Sequence, residues 1–215
     1  SGTMTTEITC FKAYDIRGRV PVQLNEDIAY RIGRAYAALL SPERVVVGFD
    51  IRLTSEALCT AVSRGLMDGG ADVLNIGQCG TEEVYFATSH LNADGGIAVT
   101  ASHNPKDYNG MKLVRKNSRP ISADTGLFDI KKLAEQSQFP KPEKIGVLEN
   151  VNTKPAYIEH LLTCVNASLL KPLKIVCNAD NGGAGPAIDL LEPHLPFELI
   201  KVCLLYTSPS PRDLA

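Results

Sequence analysis

Nothing in the sequence is long and apolar enough to cross a membrane. No run approaches the roughly 18 to 20 consecutive apolar residues that a spanning helix needs. The first residues, Ser1 to Thr6, also lack the basic segment followed by an apolar one that marks an export signal. Together the two absences predict a soluble, cytoplasmic protein with no membrane partner. A basic excess is missing as well: 22 Lys and Arg stand against 24 Asp and Glu, for a formal charge of -2. Nothing tracks a phosphate backbone, so nucleic acid is not expected as a partner. The six cysteines, Cys10, Cys59, Cys79, Cys164, Cys177 and Cys203, fall at irregular spacing with no C-x-x-C pair. That pattern argues against a disulfide framework or a zinc site. Most of them sit in apolar stretches, where a reduced cysteine behaves as a small hydrophobe. The four histidines, His90, His103, His160 and His194, form no H-x-x-x-H pair. Any metal site has to be built another way.

What is present is an ordinary globular composition. Hydrophobic residues make up 44% and charged residues 21% of the 215 residues, which excludes disorder and collagen-like repetition for the chain as a whole. The length suits one large domain, or one domain and part of another.

Apolar periodicity alternates between strand and helix. Ile8 to Phe11 reads as a short strand. Glu26 to Leu40 reads as a helix, with Asn25 as its N-cap and Ile28, Ile32, Ala35 and Leu39 on one face. Arg44 to Phe49 is a β-branched run too short for a helix. Ser55 to Asp68 places Leu58, Val62 and Leu66 four apart, and Gly69-Gly70 ends it. Asp72 to Ile76 is the next strand, Glu82 to Leu91 the next helix and Gly96 to Thr100 the strand after that. Asn109-Gly110 is a tight-turn signal and Met111 to Val114 a strand, so the segment around Ser102 is expected to loop out between two strands. Thr125 to Glu135 reads as a helix.

The Pro-containing stretch from Ser137 to Lys144 has no helical period, which puts a domain boundary near residue 150. Residues 1–150 form the first predicted domain. Residues 151–202 begin a second, with a helix over Pro155 to Cys164, a strand over Leu173 to Cys177, a turn at Asn181-Gly182-Gly183, a helix over Pro186 to Leu191 and a strand over Phe197 to Val202. The predicted fold class is therefore α/β: a layered, mixed β-sheet domain with helices on its faces, followed by an incomplete second α/β domain. Residues 203–215 follow neither period and carry Ser-Pro steps. They resemble the translation of a transposase adapter used in making sequencing libraries, and are expected to be a non-native tail. The alternative is a genuine flexible tail, which Ser/Pro content permits.

The segment most informative about chemistry runs from Gly95 to Pro105. A strand delivers Ser102 into a loop where Thr100, His103 and Asn104 supply hydrogen-bonding groups and Pro105 limits relaxation. Ser102 is open to two chemistries. As an acyl-transfer nucleophile it lacks the glycines of a G-x-S-x-G elbow, and the adjacent His103 does not imply a triad. As a phosphoryl carrier it would bear about -1.5 to -2 charge, which demands a cation or several donors nearby.

The string Thr100-Ala-Ser102-His103-Asn104-Pro105, with Asn109-Gly-Met-Lys112 after it and Phe11-Lys-Ala-Tyr14-Asp15-Ile-Arg17-Gly18 before it, resembles the α-D-phosphohexomutases, and among them the bacterial phosphomannomutases. The likeness runs in order from about Cys10 to Val202. It includes Gly80-Thr-Glu-Glu-Val-Tyr-Phe86 and Asn181-Gly-Gly-Ala-Gly-Pro186.

The resemblance implies a four-domain enzyme about twice this length, with its active site in the cleft between domains. It would interconvert mannose 6-phosphate and mannose 1-phosphate through a hexose bisphosphate. Ser102 matches the phosphoserine, Lys112 the general acid/base and Arg17 a cleft arginine near the phosphoserine. His103 and Asn104 would shape the loop and donate to phosphate, and Tyr14 would stand at the cleft or merely cover the core. Hexose phosphates are the implied partners, Mg²⁺ the cofactor and a hexose 1,6-bisphosphate the activator. The family's metal is held by the phosphoserine and by three aspartates of an Asp-Gly-Asp-x-Asp-Arg loop, and that string does not occur here. Ser102, through its phosphate, is then the one metal ligand present, too few for a hard cation that takes about six oxygens. The chain alone is accordingly expected to be inactive.

Plainer readings stand beside these. Arg17 is equally suited to pairing with a surface carboxylate. In Asp50-Ile-Arg52-Leu-Thr54-Ser55, Thr54 or Ser55 is an N-cap and Arg52 a contact behind the loop, or the helix start is a phosphate site. Asn181 to Pro186 is a tight turn rather than a dinucleotide loop, because Ile188 stands where a glycine or alanine is needed. His90, His160 and His194 read as surface or cap residues. Alternative functions are a non-catalytic sugar-phosphate-binding domain, a serine hydrolase, or a mutase with glucose specificity.

Overall fold

The computed structural model describes residues 7–168. In chain order the strands and α-helices are β1 (Ile16–Arg19), α1 (Glu26–Leu40), β2 (Arg44–Phe49), α2 (Ser55–Asp68), β3 (Asp72–Gln78), α3 (Thr81–His90), β4 (Gly95–Val99), β5 (Tyr108–Arg115), α4 (Leu127–Gln136), β6 (Leu148–Asn150) and α5 (Lys154–Ser168). The strands form one six-stranded sheet in the order β1-β5-β4-β2-β3-β6. β4, β2, β3 and β6 run parallel. β5 pairs antiparallel with β4 and with β1, which makes the sheet mixed.

Burial explains why the central strands read as unbroken apolar runs: strands covered by helices on both faces are hydrophobic throughout. Side chains alternate between two cores. Val45, Val47, Val73, Ile97 and Val99 enter the larger one with α1, α2 and α4. Val46, Leu74, Ile76 and Ala98 enter the other, beneath Val84 and Ala87 of α3. The fold is thus a helix–sheet–helix sandwich, as the α/β reading anticipates.

Local chemistry sets the helix ends. Asn25 caps α1, its Oδ1 accepting from the Ile28 N–H at 2.9 Å, and Glu26 and Asp27 complement the positive end of the helix dipole. Ser41 closes α1 in the left-handed conformation. Where α1 crosses α2, Gly33 and Gly65 let the two backbones touch. A methyl group on Gly65 would fall well inside van der Waals contact of the Tyr30 carbonyl oxygen.

Several sequence expectations change. Ile8 to Phe11 is not a strand: Phe11 makes a single bridge to Ile16, and the place beside β5 goes to β1, which the sequence reading missed. Ile8, Cys10 and Phe11 are buried nonetheless, which is what their apolar run reflects. Leu39 is 37% exposed, because the buried face of α1 runs through Ala29, Ile32, Gly33 and Tyr36 instead. Asn109 and Gly110 do not turn; they lie inside β5. The chain reverses earlier, where the Tyr108 N–H donates to the Pro105 carbonyl at 2.9 Å. Gly110 marks a close approach, since a Cβ there would collide with the Ile16 carbonyl oxygen of β1.

β6 was not anticipated, and it extends the sheet beside β3. α5 packs against α3: Lys154 Nζ reaches Glu83 Oε1 at 2.7 Å, and Tyr157 packs its ring on Phe86. His90, the last residue of α3, and His160 are exposed, as the surface-or-cap reading expects, and both rings also lie against Phe86, while His194 lies outside the described residues. Burial and the neighbouring His90 hold the His160 imidazole below its ordinary value. The strand expected over Leu173 to Cys177, the turn at Asn181, the helix over Pro186 to Leu191, the strand over Phe197 to Val202 and the tail lie outside the described residues. Among the described residues no helix is long and apolar enough to cross a membrane.

Two tests follow from this packing. Gly65→Ala should destabilise the protein by about 1 to 3 kcal/mol, the range for overpacking a tight contact, whereas Thr60→Ala on the exposed side of α2 should shift the urea midpoint little. The second concerns Cys10, Cys59 and Cys79, all buried free thiols. Burial pushes Cys10 up to about 11 and Cys59 up to about 12, with Cys79 raised further still. At pH 8 their thiolate fraction therefore falls about 100-fold or more below that of an unfolded chain. Differential alkylation with mass spectrometry should label these three only after denaturant is added.

Candidate active site

Parallel strands place all their carboxyl ends on one edge of the sheet. From β2 the chain crosses to β3 on one side, and from β3 it crosses back to β4 on the other. The gap beyond the ends of β2 and β4 is thus a topological switch point, the place where open α/β sheets bind ligands. The Ser102 loop leaves β4 there.

That loop is held from behind by the segment that follows β2. The Asp50 N–H donates to the Val99 carbonyl at 2.9 Å. The Asp50 carboxylate then accepts from three donors: Oδ1 takes the Arg52 N–H at 3.0 Å and the Ser55 hydroxyl, and Oδ2 takes the Ala101 N–H at 3.0 Å. Arg52 supports the far side of the loop. Its guanidinium donates to the carbonyls of Asn104 at 2.8 Å, Tyr108 at 3.0 Å and Pro105. Arg52 is therefore a contact behind the loop, one of the two readings of this segment. Thr54 occupies the N-cap position of α2 without capping through its side chain. Its hydroxyl accepts instead from Asn109 Nδ2 at 2.8 Å, and the same amide donates to Ser55 Oγ at 2.9 Å.

Braced in this way, Ser102 adopts a left-handed backbone, φ +50°. Such a conformation costs a non-glycine residue about 1 to 2 kcal/mol and persists where surrounding contacts over-determine it. The Ser102 N–H donates to Thr100 Oγ1 at 3.1 Å, and Asn104 Nδ2 donates to the Ala101 carbonyl at 2.8 Å. The Asn104 amide thus shapes the loop.

A pocket of about 470 Å³ opens over Ser102. The structure brings Arg17, Ser102, His103, Asn104 and Lys112 together along its wall. Tyr14 is not among the lining residues and is 59% exposed. Arg17 comes from β1 and Lys112 from β5, next to each other through the antiparallel register Ile16↔Met111. Asp15, to which the sequence reading gave no role, joins both cations: Oδ1 accepts from Arg17 Nε at 3.1 Å and Oδ2 from Lys112 Nζ at 3.2 Å. Asp50 and Asn109 were missed as well. The available signal was an acid directly after an apolar strand and two residues before an arginine, the arrangement of a carboxylate that ties a strand end to the next helix.

Chemically, a hydroxyl held among an arginine, a lysine and loop donors suits a phosphorylated serine and an incoming phosphate. A closed metal site is not part of the arrangement. Among the described residues no group of three or more His, Cys, Asp or Glu side chains gathers to hold a metal ion, so the residues present do not fit Mg²⁺ by themselves.

Known proteins share this architecture. Residues 9–141 match the family model described as phosphoglucomutase/phosphomannomutase, alpha/beta/alpha domain I. A phosphomannomutase of Salmonella typhimurium is 58% identical over 204 residues, covering 92% of this chain and 45% of that protein. A protein of Xanthomonas campestris named for phosphohexose mutases is 58% identical over 195 residues, covering 91% of this chain and 44% of its own length. Among solved structures, a phosphoglucomutase/phosphomannomutase family protein of Burkholderia thailandensis superposes with a TM-score of 0.73 at 33% identity, over 92% of this chain and 43% of that one. The chain spans less than half the length of these relatives. With its first domain matched in sequence and in three dimensions, and with the serine loop at the switch point of that domain, the chain belongs to the phosphoglucomutase/phosphomannomutase family.

Proposed function

We propose that the full-length protein is a phosphomannomutase in which Ser102 carries the transferred phosphoryl group. The observation that carries this reading is the placement of Ser102, in a braced left-handed loop, within one pocket with Arg17 and Lys112. The phosphoryl group leaves Ser102 Oγ for a hydroxyl oxygen of a bound hexose monophosphate: the Oγ–P bond breaks, the sugar O–P bond forms, and the sugar hydroxyl proton passes through Lys112 to Ser102 Oγ, which is left as a hydroxyl. The bisphosphate then presents its other phosphate, which returns to Ser102 Oγ while the Ser102 proton passes back to the sugar oxygen, leaving the isomeric monophosphate. Arg17 and the loop donors balance the phosphate charge, the main requirement of phosphoryl transfer.

In this reading residues 1–150 are the first domain and 151–202 part of a second. The relatives are more than twice as long, and the whole site is assigned to a protein of their length, with this chain inactive alone. A hexose 1,6-bisphosphate serves as activator. Mg²⁺ belongs to that whole enzyme, since the described residues do not assemble its ligands.

Two measurements on a protein of the relatives' length carrying this sequence test the proposal. After incubation with glucose 1,6-bisphosphate, phosphopeptide mapping should find the phosphate on Ser102. Phosphate on Ser55, which is buried and bonded to Asp50, or on no serine, would refute the assignment. Lys112→Met should lower kcat by about 10² to 10⁴ with KM little changed, because a proton-transfer group acts mainly in the transition state. A steep rise in KM at near-normal kcat would make Lys112 a phosphate-binding residue instead.

A further inference from the structure

Among the described residues that line the Ser102 pocket, Asp15 is the one carboxylate. A carboxylate is an unexpected neighbour for a site that must accept phosphate, since like charges repel in a partly enclosed pocket. Its geometry suggests why it is there. The side chain is only 14% exposed, and its two oxygens are divided between two cations, Oδ1 to Arg17 Nε and Oδ2 to Lys112 Nζ.

The backbone fixes this arrangement. The Lys12 N–H donates to the Asp15 carbonyl at 2.8 Å, and Phe11 bridges to Ile16. Pairing of Ile16 with Met111 then sets Asp15 beside Lys112, one step further along the same two chains.

Neither cation is exhausted by the contact. Arg17 meets Asp15 through Nε, so Nη1 and Nη2 take no part in that bond. Lys112 has three N–H donors, and one of them serves Asp15. Each can therefore hold a second anion while the first keeps it in place. A lysine side chain has many rotamers, and one already ordered when substrate arrives loses less freedom in reaching the transition state.

We infer that Asp15 is a positioning residue of the phosphoryl-transfer site: its shared carboxylate holds Lys112 and Arg17 together at the Ser102 pocket and balances them while Ser102 bears no phosphate. The inference rests on the reading of Ser102 and Lys112 given above. It makes the Asp15 carboxylate a resident stand-in for the phosphate that later joins the same cations.

The test uses a protein of the relatives' full length. Asp15→Asn keeps the shape and removes the charge; it should lower kcat by about 10- to 100-fold while KM for the hexose phosphate stays within about threefold. Asp15→Glu, which restores the charge, should recover kcat to within about tenfold of the parent. In a Lys112→Met background, Asp15→Asn should cost little more, because residues that act as a unit are not additive. Asp27→Asn, at the exposed carboxylate paired with Arg31 on α1, should leave both parameters unchanged. An unchanged kcat in Asp15→Asn overturns the inference. So does a rise in KM alone, which would make Asp15 a binding determinant. So does an Asp15→Asn protein that fails to fold, which would make it a structural ion pair. A parent enzyme that takes no phosphate on Ser102 overturns the reading of the site and the role of Asp15 together. A parent that does, beside an indifferent Asp15→Asn enzyme, overturns the role of Asp15 alone.

Discussion

The edge of the sheet that carries the Ser102 loop depends on the carboxylate of Asp50. It stands at the end of β2 and ties three backbone segments into one body: the strand it follows, the first turn of α2 and the residue before Ser102. Hydrogen bonds to an ionised group contribute about 1.5 to 3 kcal/mol each. That outweighs the roughly 1 to 2 kcal/mol that a left-handed serine costs. The strained conformation is thus stable because its neighbours on both sides are held, with Arg52 taking the carbonyls on the far side of the loop. A serine loop with no such anchors would sample many conformations, and few would place Ser102 at the pocket wall.

The anchors work because the sheet behind them is rigid. β2 is covered on both faces, and its neighbours β3 and β4 are reached by crossovers on opposite sides. The switch point therefore opens beyond the best-packed part of the fold. β5 then returns antiparallel and delivers Lys112, while Asn109, buried at the start of the same strand, bonds to the hydroxyls of Thr54 and Ser55. Strand, loop and helix start are linked in a closed circuit of hydrogen bonds.

Two aspartates divide the electrostatic work. Asp50 binds backbone N–H groups and a hydroxyl and so shapes the loop. Asp15 binds side-chain cations and so arranges the charges that face it. The first acts on geometry and the second on charge. Away from the site, Glu83 does similar work for α5: it is nearly buried, and it pairs with Lys154 and accepts from the Thr153 hydroxyl at 3.0 Å. A buried carboxylate left without such partners would be strongly destabilising, so this contact fixes where α5 begins.

Much of the fold was legible in the sequence. Arg44 to Phe49 and Ser55 to Asp68 matched the observed elements end to end, and Asn25 capped α1 as its side chain dictates, because apolar period and capping chemistry are local properties. The serine loop was legible too, as a polar segment between two apolar strands. Three things were decided only by the tertiary structure. Asn109-Gly110 has the residues of a turn, yet it lies in β5, because the asparagine finds hydroxyl partners on α2 and the glycine meets the β1 backbone. β1 is too short for its alternation to stand out, and it exists because β5 offers it an edge. Asp15, Arg17 and Lys112 become one group only when antiparallel pairing sets β1 against β5. Sequence determines what each segment can bury and which donors it carries, whereas the partners that satisfy those donors come from elements distant along the chain, and only folding selects them.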